Sequence, residues 1–192
     1  HSILTSVIRL ETMVQFIEAS FYVWLLYNFK NIKKMASKRY YDWMITTPAM
    51  LLATIMYMKY LEKKSINGDL ETEPLKFGSF VVDNKENILK IFVSNALMLL
   101  LGFMGEIGKM SIVNSVIIGS LFFLYTFYVI WDQYAKYTLE GSKLFYFLFI
   151  VWGLYAVAAL LKPKNKNIGY NLLDIVSKNF YGLYIYYVIK SI

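Results

Sequence analysis

Cysteine is absent from the 192-residue chain, and its single histidine is His1, at the terminus. Disulfides, thiolate nucleophiles and Cys/His metal sites are thereby excluded, and histidine proton shuttles with them. No metal site and no enzymatic chemistry is expected. Charge is also scarce: Asp, Glu, Lys and Arg make up 17% of the residues, against about 25% in soluble domains. What fills the chain instead is hydrophobic, at 58%, with a mean hydropathy of +0.46. The net charge of +7 is compatible with nucleic acid or anionic lipid. Most lysines, however, fall in connections between apolar stretches, the pattern of a membrane protein, so no nucleic-acid partner is expected. No basic start or small-residue cleavage site marks a signal peptide at the opening.

Six stretches are long and apolar enough to cross a bilayer, which takes about 20 residues each. They run over 6–28, 40–60, 88–108, 111–131, 143–161 and 168–189. This predicts an all-α, multi-pass integral membrane protein forming one domain over 1–192. Between the spans, 30–34 and 162–166 read as basic turns, and 63–87 as a longer mixed-charge connection. Within that connection Gly78–Asp83 suggests a short strand, and Asp83-Asn-Lys-Glu86 has the spacing of a capping box ahead of the third span. The lysines divide almost evenly between alternate connections, so the positive-inside rule gives no orientation.

Four ionisable residues lie in or near the apolar spans: Arg39 and Asp42 in the second, Asp174 and Lys178 in the last. Unpaired, they would cost about 10–14 kcal/mol in hydrocarbon. Opposite charges facing each other offset most of that, so the second and last spans should pack together, with both aspartates as counter-charges to Lys178. A spacing of four puts Asp174 and Lys178 on one helical face. Pro48 interrupts the second span's hydrogen bonds, and Thr46 or Thr47 can satisfy the freed groups. Such a cluster can be a structural ion-pair network. A buried lysine is also a Schiff-base nucleophile, and Trp43, Phe123, Trp152 and Tyr155 place large aromatics in the second, fourth and fifth spans.

The run Arg39-Tyr-x-Asp42-Trp43-x-x-Thr46-Thr47-Pro48 and the pair Leu173-Asp174-x-x-x-Lys178 resemble the third- and seventh-helix signatures of the microbial (type 1) rhodopsin family, viral and channel-type members above all. Asn95-x-x-Met98-x-x-x-Gly102, Ser120 to Tyr128 and Trp152-x-x-Tyr155 match the intervening helices more weakly. The resemblance implies a seven-transmembrane-helix rhodopsin bundle of which helices two to seven are visible here, with Lys30–Lys38 outside. It implies all-trans retinal bound covalently to Lys178 as a Schiff base, Asp42 as primary counter-ion and proton acceptor, Asp174 as second carboxylate and Arg39 as the charge beneath. It further implies a Thr46 hydrogen bond to Asp42, Trp43 and Trp152 on either side of the polyene, and Thr47, Met50, Met98, Gly102, Phe123 and Tyr155 shaping the pocket. Ala156 departs from the family, where many members carry proline.

Such a photocycle can pump, open a pore or signal. The family's usual proton-donor position, eleven residues beyond the counter-ion, is Ala53 here, which disfavours an efficient outward proton pump. The first span carries Glu11, Gln15, Glu18 and Tyr22 at i, i+4, i+7 and i+11, and the last carries Asn167, Asn171, Asp174 and Lys178 at the same spacing. Two polar stripes on hydrophobic helices suggest an ion path, and acidic side chains along a pore select cations. A blander reading has Glu11 at the interface, beside Arg9. The expected function is a light-gated cation channel passing monovalent cations or protons, with the proton pump as alternative and a light sensor signalling through the 63–87 connection as a third. The partners are the lipid bilayer and, as an option left open, further copies of the chain.

Overall fold

The computed structural model describes residues 2–28, 32–67 and 75–192. Its elements are α1 (Ser2–Tyr27), α2 (Ile32–Asn67), α3 (Phe77–Asp83), α4 (Lys85–Glu106), α5 (Ile112–Gln133), a 3-10 turn Ala135–Tyr137, α6 (Leu139–Ala159), α7 (Pro163–Asp174), a π-helical segment Ile175–Phe180 and α8 (Tyr181–Lys190). Helical dihedrals persist at Ile175 and at Tyr181, so the last three elements form one uninterrupted rod. Six long rods result, in the order expected, with helix α3 added.

Polarity is inverted relative to a water-soluble bundle. Arg39, Asp42, Asp174, Lys178, Glu11 and Glu18 are all buried, while Phe16, Leu26, Leu121 and Leu183 are more than 60% exposed. Only a solvent of hydrocarbon makes that arrangement favourable, since helices satisfy their own backbone there and charges pair inside. Among the described residues, α4, the stretch Ile112–Tyr137 and α6 are long and apolar enough to span a membrane by composition alone. The remaining rods carry the buried charges, which lower their hydropathy.

Three local expectations change. The Gly78–Asp83 run is helical, not a strand: an isolated strand in an all-helical bundle has no partner for its backbone, whereas α3 bonds its own and seats Phe80 against Tyr134, ring centroids 6.4 Å apart. The capping box before α4 does not form. Asn84 makes no side-chain cap and donates back to the Phe80 carbonyl at 2.9 Å, closing α3 instead. The basic stretch 162–166 is not a turn throughout, because Pro163 starts α7, a position its fixed φ favours. The expected turn at 30–34 and connection at 63–87 lie partly outside the described residues, and within them α2 begins at Ile32 and reaches Asn67.

Helix α1 lies close against the last rod. A Cβ on Gly182 would stand 2.6 Å from Gln15 Nε2, so glycine is what lets the two backbones approach at this level.

Candidate functional site

Helix α2 and the last rod meet as their charges require. Lys178 Nζ donates to Asp42 Oδ2 at 2.6 Å and lies 3.6 Å from Asp174 Oδ1 and 3.9 Å from Glu18 Oε1. Lys178 is itself buried at 2% exposure and sits in the π-helical segment, where an irregular turn leaves a backbone carbonyl available. Gln15 Nε2 takes that opportunity, donating to the Lys178 carbonyl oxygen at 2.9 Å.

The two aspartates are not equivalent. Asp174 accepts from four side chains: Tyr155 Oη at 2.7 Å, Tyr22 Oη at 2.9 Å, Arg39 Nη1 at 3.0 Å and Trp43 Nε1 at 3.3 Å. Asp42 has Lys178 on Oδ2, and its Oδ1 has no hydrogen-bond partner among the described residues. Asp174 thus has both oxygens occupied by donors from three other helices, while Asp42 keeps an oxygen open. Arg39, fully buried, also donates to Tyr22 and to Asn171.

Thr46 does not reach the Asp42 carboxylate. Its hydroxyl donates to the Asp42 backbone carbonyl at 3.0 Å, as Thr47 does to Trp43 at 2.8 Å. This is the ordinary bond of a threonine to the carbonyl one turn earlier; both acceptors precede Met44, whose carbonyl is the one that Pro48 leaves without its helical donor. Asn95 then donates to Thr47 Oγ1 at 2.8 Å, tying α4 to α2.

Next to Lys178 lies a cavity of about 310 Å³. All the residues expected to hold a chromophore line it: Lys178, Trp43, Thr47, Met50, Met98, Gly102, Phe123, Trp152 and Tyr155. Gly102 is there because a Cβ would stand 2.5 Å from the Tyr40 hydroxyl. Three wall residues have no clear signal in the sequence. Ser177, beside the lysine, shares a 2.9 Å hydrogen bond with Tyr155. Tyr40 and Tyr170 close the end near Arg39, and beyond them Lys166 donates to Glu106 at 2.8 Å across the bundle. Those two residues are 60 positions apart, and only the fold brings them together.

The stripe on α1 faces the last rod along its length. Tyr22 reaches Asn171 at 3.4 Å, Gln15 accepts from Asn179 Nδ2 at 2.8 Å, and Glu11 borders a second cavity with Gln15, Asn179 and Gly182. Glu11 is buried at 4% exposure and does not snorkel. Neither its oxygens nor those of Glu18 have a hydrogen-bond partner among the described residues. Asn167, at the far end, bonds its own helix through Pro163 O at 2.9 Å.

A lysine shielded by carboxylates at the end of an apolar slot is the architecture of a retinal-binding membrane photoreceptor. Residues 4–192 match the family described as bacteriorhodopsin-like protein, and the chain belongs to that family. It is therefore an integral, multi-pass membrane protein of the microbial rhodopsin type. It is 27% identical over 167 residues to green-light absorbing proteorhodopsins of Gamma-proteobacterium EBAC31A08 and of an unknown prokaryotic organism, covering 78% of this chain. The chain spans 59% of the length of those curated relatives. The crystal structure of viral rhodopsin OLPVRII superposes with a TM-score of 0.83 at 26% identity, over 98% of this chain and 84% of that one. Blue light-absorbing proteorhodopsin from Med12 shares the fold, with a TM-score of 0.70 at 20% identity over 100% of this chain and 84% of that one.

Members of the family bind retinal covalently through a Schiff base. The residues present fit that group. The cavity's walls are mainly apolar and aromatic, Lys178 is the one lysine among the described residues that reaches it, and its volume lies in the range of small-molecule sites.

Proposed function

We propose that the protein is a light-gated cation channel, with all-trans retinal carried on Lys178 and the cations moving between α1 and the last rod. The observation that carries this reading is the polar column Tyr22, Asn171, Glu18, Gln15, Asn179 and Glu11, in which the buried Glu11 and Glu18 have no hydrogen-bond partner among the described residues. From Glu11 to Tyr22 it rises on the order of 16 Å, about half of a bilayer core. Glu18 has the Lys178 ammonium 3.9 Å away, but an acid such as Glu11 at this depth is expensive unless ions or water meet it, and acidic linings favour cations.

Retinal, when bound, supplies light absorption and a change of shape at the lysine nitrogen. Asp42, which already accepts from Lys178 through Oδ2, would take the proton of that nitrogen, while Asp174, held by four donors, keeps Arg39 in place. Neutralising Asp42 removes the contact that ties Lys178 to α2, which lets the last rod shift against α1 on the Glu11 side of the lysine while Asp174 still clamps its other half. Beyond Glu11 the column is stopped by Ile3, Leu4 and Val7 of α1 and by Ile185 and Ile189 of α8, all within one apolar cluster. Wetting of this plug is the opening step, as in pores gated by hydrophobic constrictions.

One observation favours an outward proton pump as the second reading. Ala53 is buried and Thr54 shares a 2.5 Å hydrogen bond with Tyr181, so α2 offers no acid at this level, but Glu11 stands there on α1 and is able to return a proton. Photocurrents in a voltage-clamped cell separate the two readings. A current that reverses with the cation gradient means a channel, and one that stays outward at every voltage means a pump. Replacing Glu18 by alanine should lower the current and move its reversal potential. If both were unchanged, the column would not be the path.

A further inference from the structure

The cavity beside Lys178 has a gap in one wall. Along one half of their contact, α5 and α6 are zipped by rings: Trp131 meets Phe145 at 5.0 Å, Phe127 meets Phe145 at 5.8 Å, and Phe123 stacks on Phe149 at 5.3 Å. Beyond Phe123 the rings stop. There α6 offers Gly153 and Ala156 and α5 offers Ser120, all lining the cavity and too short to bridge the two helices. A Cβ on Gly153 would meet nothing nearer than the tip of the Phe123 ring, at 4.0 Å. Leu124 lines the cavity and is nevertheless 51% exposed on the outer face. One side chain therefore touches both the interior and the surface that lies in hydrocarbon.

We propose that this opening between α5 and α6 is the route by which retinal dissolved in the bilayer reaches Lys178. The proposal rests on Lys178 being the retinal anchor. Retinal is a long apolar aldehyde that partitions into lipid, and the lateral route asks it to pass only small and apolar side chains. The ends of the bundle are closed to it. On one side stand Arg39 and Asp174 with the half-buried Lys166–Glu106 pair beyond them, and on the other stands the apolar cluster of α1 and α8. A polyene coming from either end must displace buried charges or a packed core, and both are costly.

The test is the rate at which colour returns. Bleached protein in lipid vesicles is supplied with all-trans retinal in the same lipid, and the rise of the visible band is normalised to its final height. Ser120→Phe fills the gap and should slow the rise on the order of tenfold, the scale of overpacking a formed wall. Leu124→Ala widens it and should speed the rise, and Leu100→Phe on the exposed face of α4 should change nothing. Wild-type rates in both Ser120→Phe and Leu124→Ala overturn the route. If Ser120→Phe takes up no retinal at all, Leu124→Ala decides: a faster rise supports the route and an unchanged one overturns it. A coloured Lys178→Ala protein strikes at the anchor alone.

Discussion

Purified Lys178→Ala protein, mixed with all-trans retinal, shows no visible absorption band. The expectation follows from the cavity, where Lys178 is the one amine among the described residues in reach of the apolar slot. Loss of colour has a trivial competitor, failure to fold. Removing the ammonium leaves Asp42, Asp174 and Glu18 buried with less compensation, and breaking a buried pair from one side costs about 3–5 kcal/mol. Two further variants separate the causes. Lys178→Arg keeps a buried cation beside Asp42, but its guanidinium stays protonated and forms no imine, so this protein folds and stays colourless. Lys178→Ala/Asp42→Asn removes both charges, and it should recover stability but not colour. Any visible band in these proteins sinks the assignment of Lys178, and the mechanism built on it.

The second large effect is on stability. Arg39→Ala should destabilise the protein by about 3–5 kcal/mol, because Asp174 is then an anion in the interior without its guanidinium. At about 2–4 °C per kcal/mol for a chain of this size, the unfolding midpoint of the detergent-solubilised protein falls by about 6–20 °C. Arg39→Lys keeps the charge but cannot reach Asp174, Tyr22 and Asn171 together as the fork does, so it should fall in between. Arg39→Met/Asp174→Leu should be more stable than Arg39→Ala, since it leaves no lone charge. A midpoint for Arg39→Ala within a degree or two of the wild type would show that the pair is not what holds these helices in register.

Much of the site can be read in the chain because burying charge is costly. Arg39, Asp42, Asp174 and Lys178 stand out against apolar sequence, and four charges with two signs have few ways to be placed in hydrocarbon. Which aspartate is held by more donors is another matter. That asymmetry comes from Tyr22, Trp43 and Tyr155 converging on Asp174 from three helices, and no local spacing encodes it. The Thr46 hydroxyl was open to two acceptors, and its own backbone one turn earlier is nearer than the carboxylate. The Gly78–Asp83 run fails for a similar reason. Short β-branched and aromatic stretches fit strand or helix, and the choice falls to neighbours that the sequence does not name. Lys166 reads as part of a basic turn and Glu106 falls unremarked near the end of the third span, since their pairing depends on how α4 and α7 end.

Asp174 also divides the bundle mechanically. It fastens α1, α2 and α6 to the last rod, whereas α4 and α5 supply none of its donors. The end of the slot at the lysine is thus a rigid clamp, and the far end, walled by Met98, Phe123 and Leu124, is padding that gives way. A chromophore in this protein is gripped by its head and cushioned at its tail. Changes in the shape of that tail can be absorbed there without disturbing the charges that decide where the proton goes.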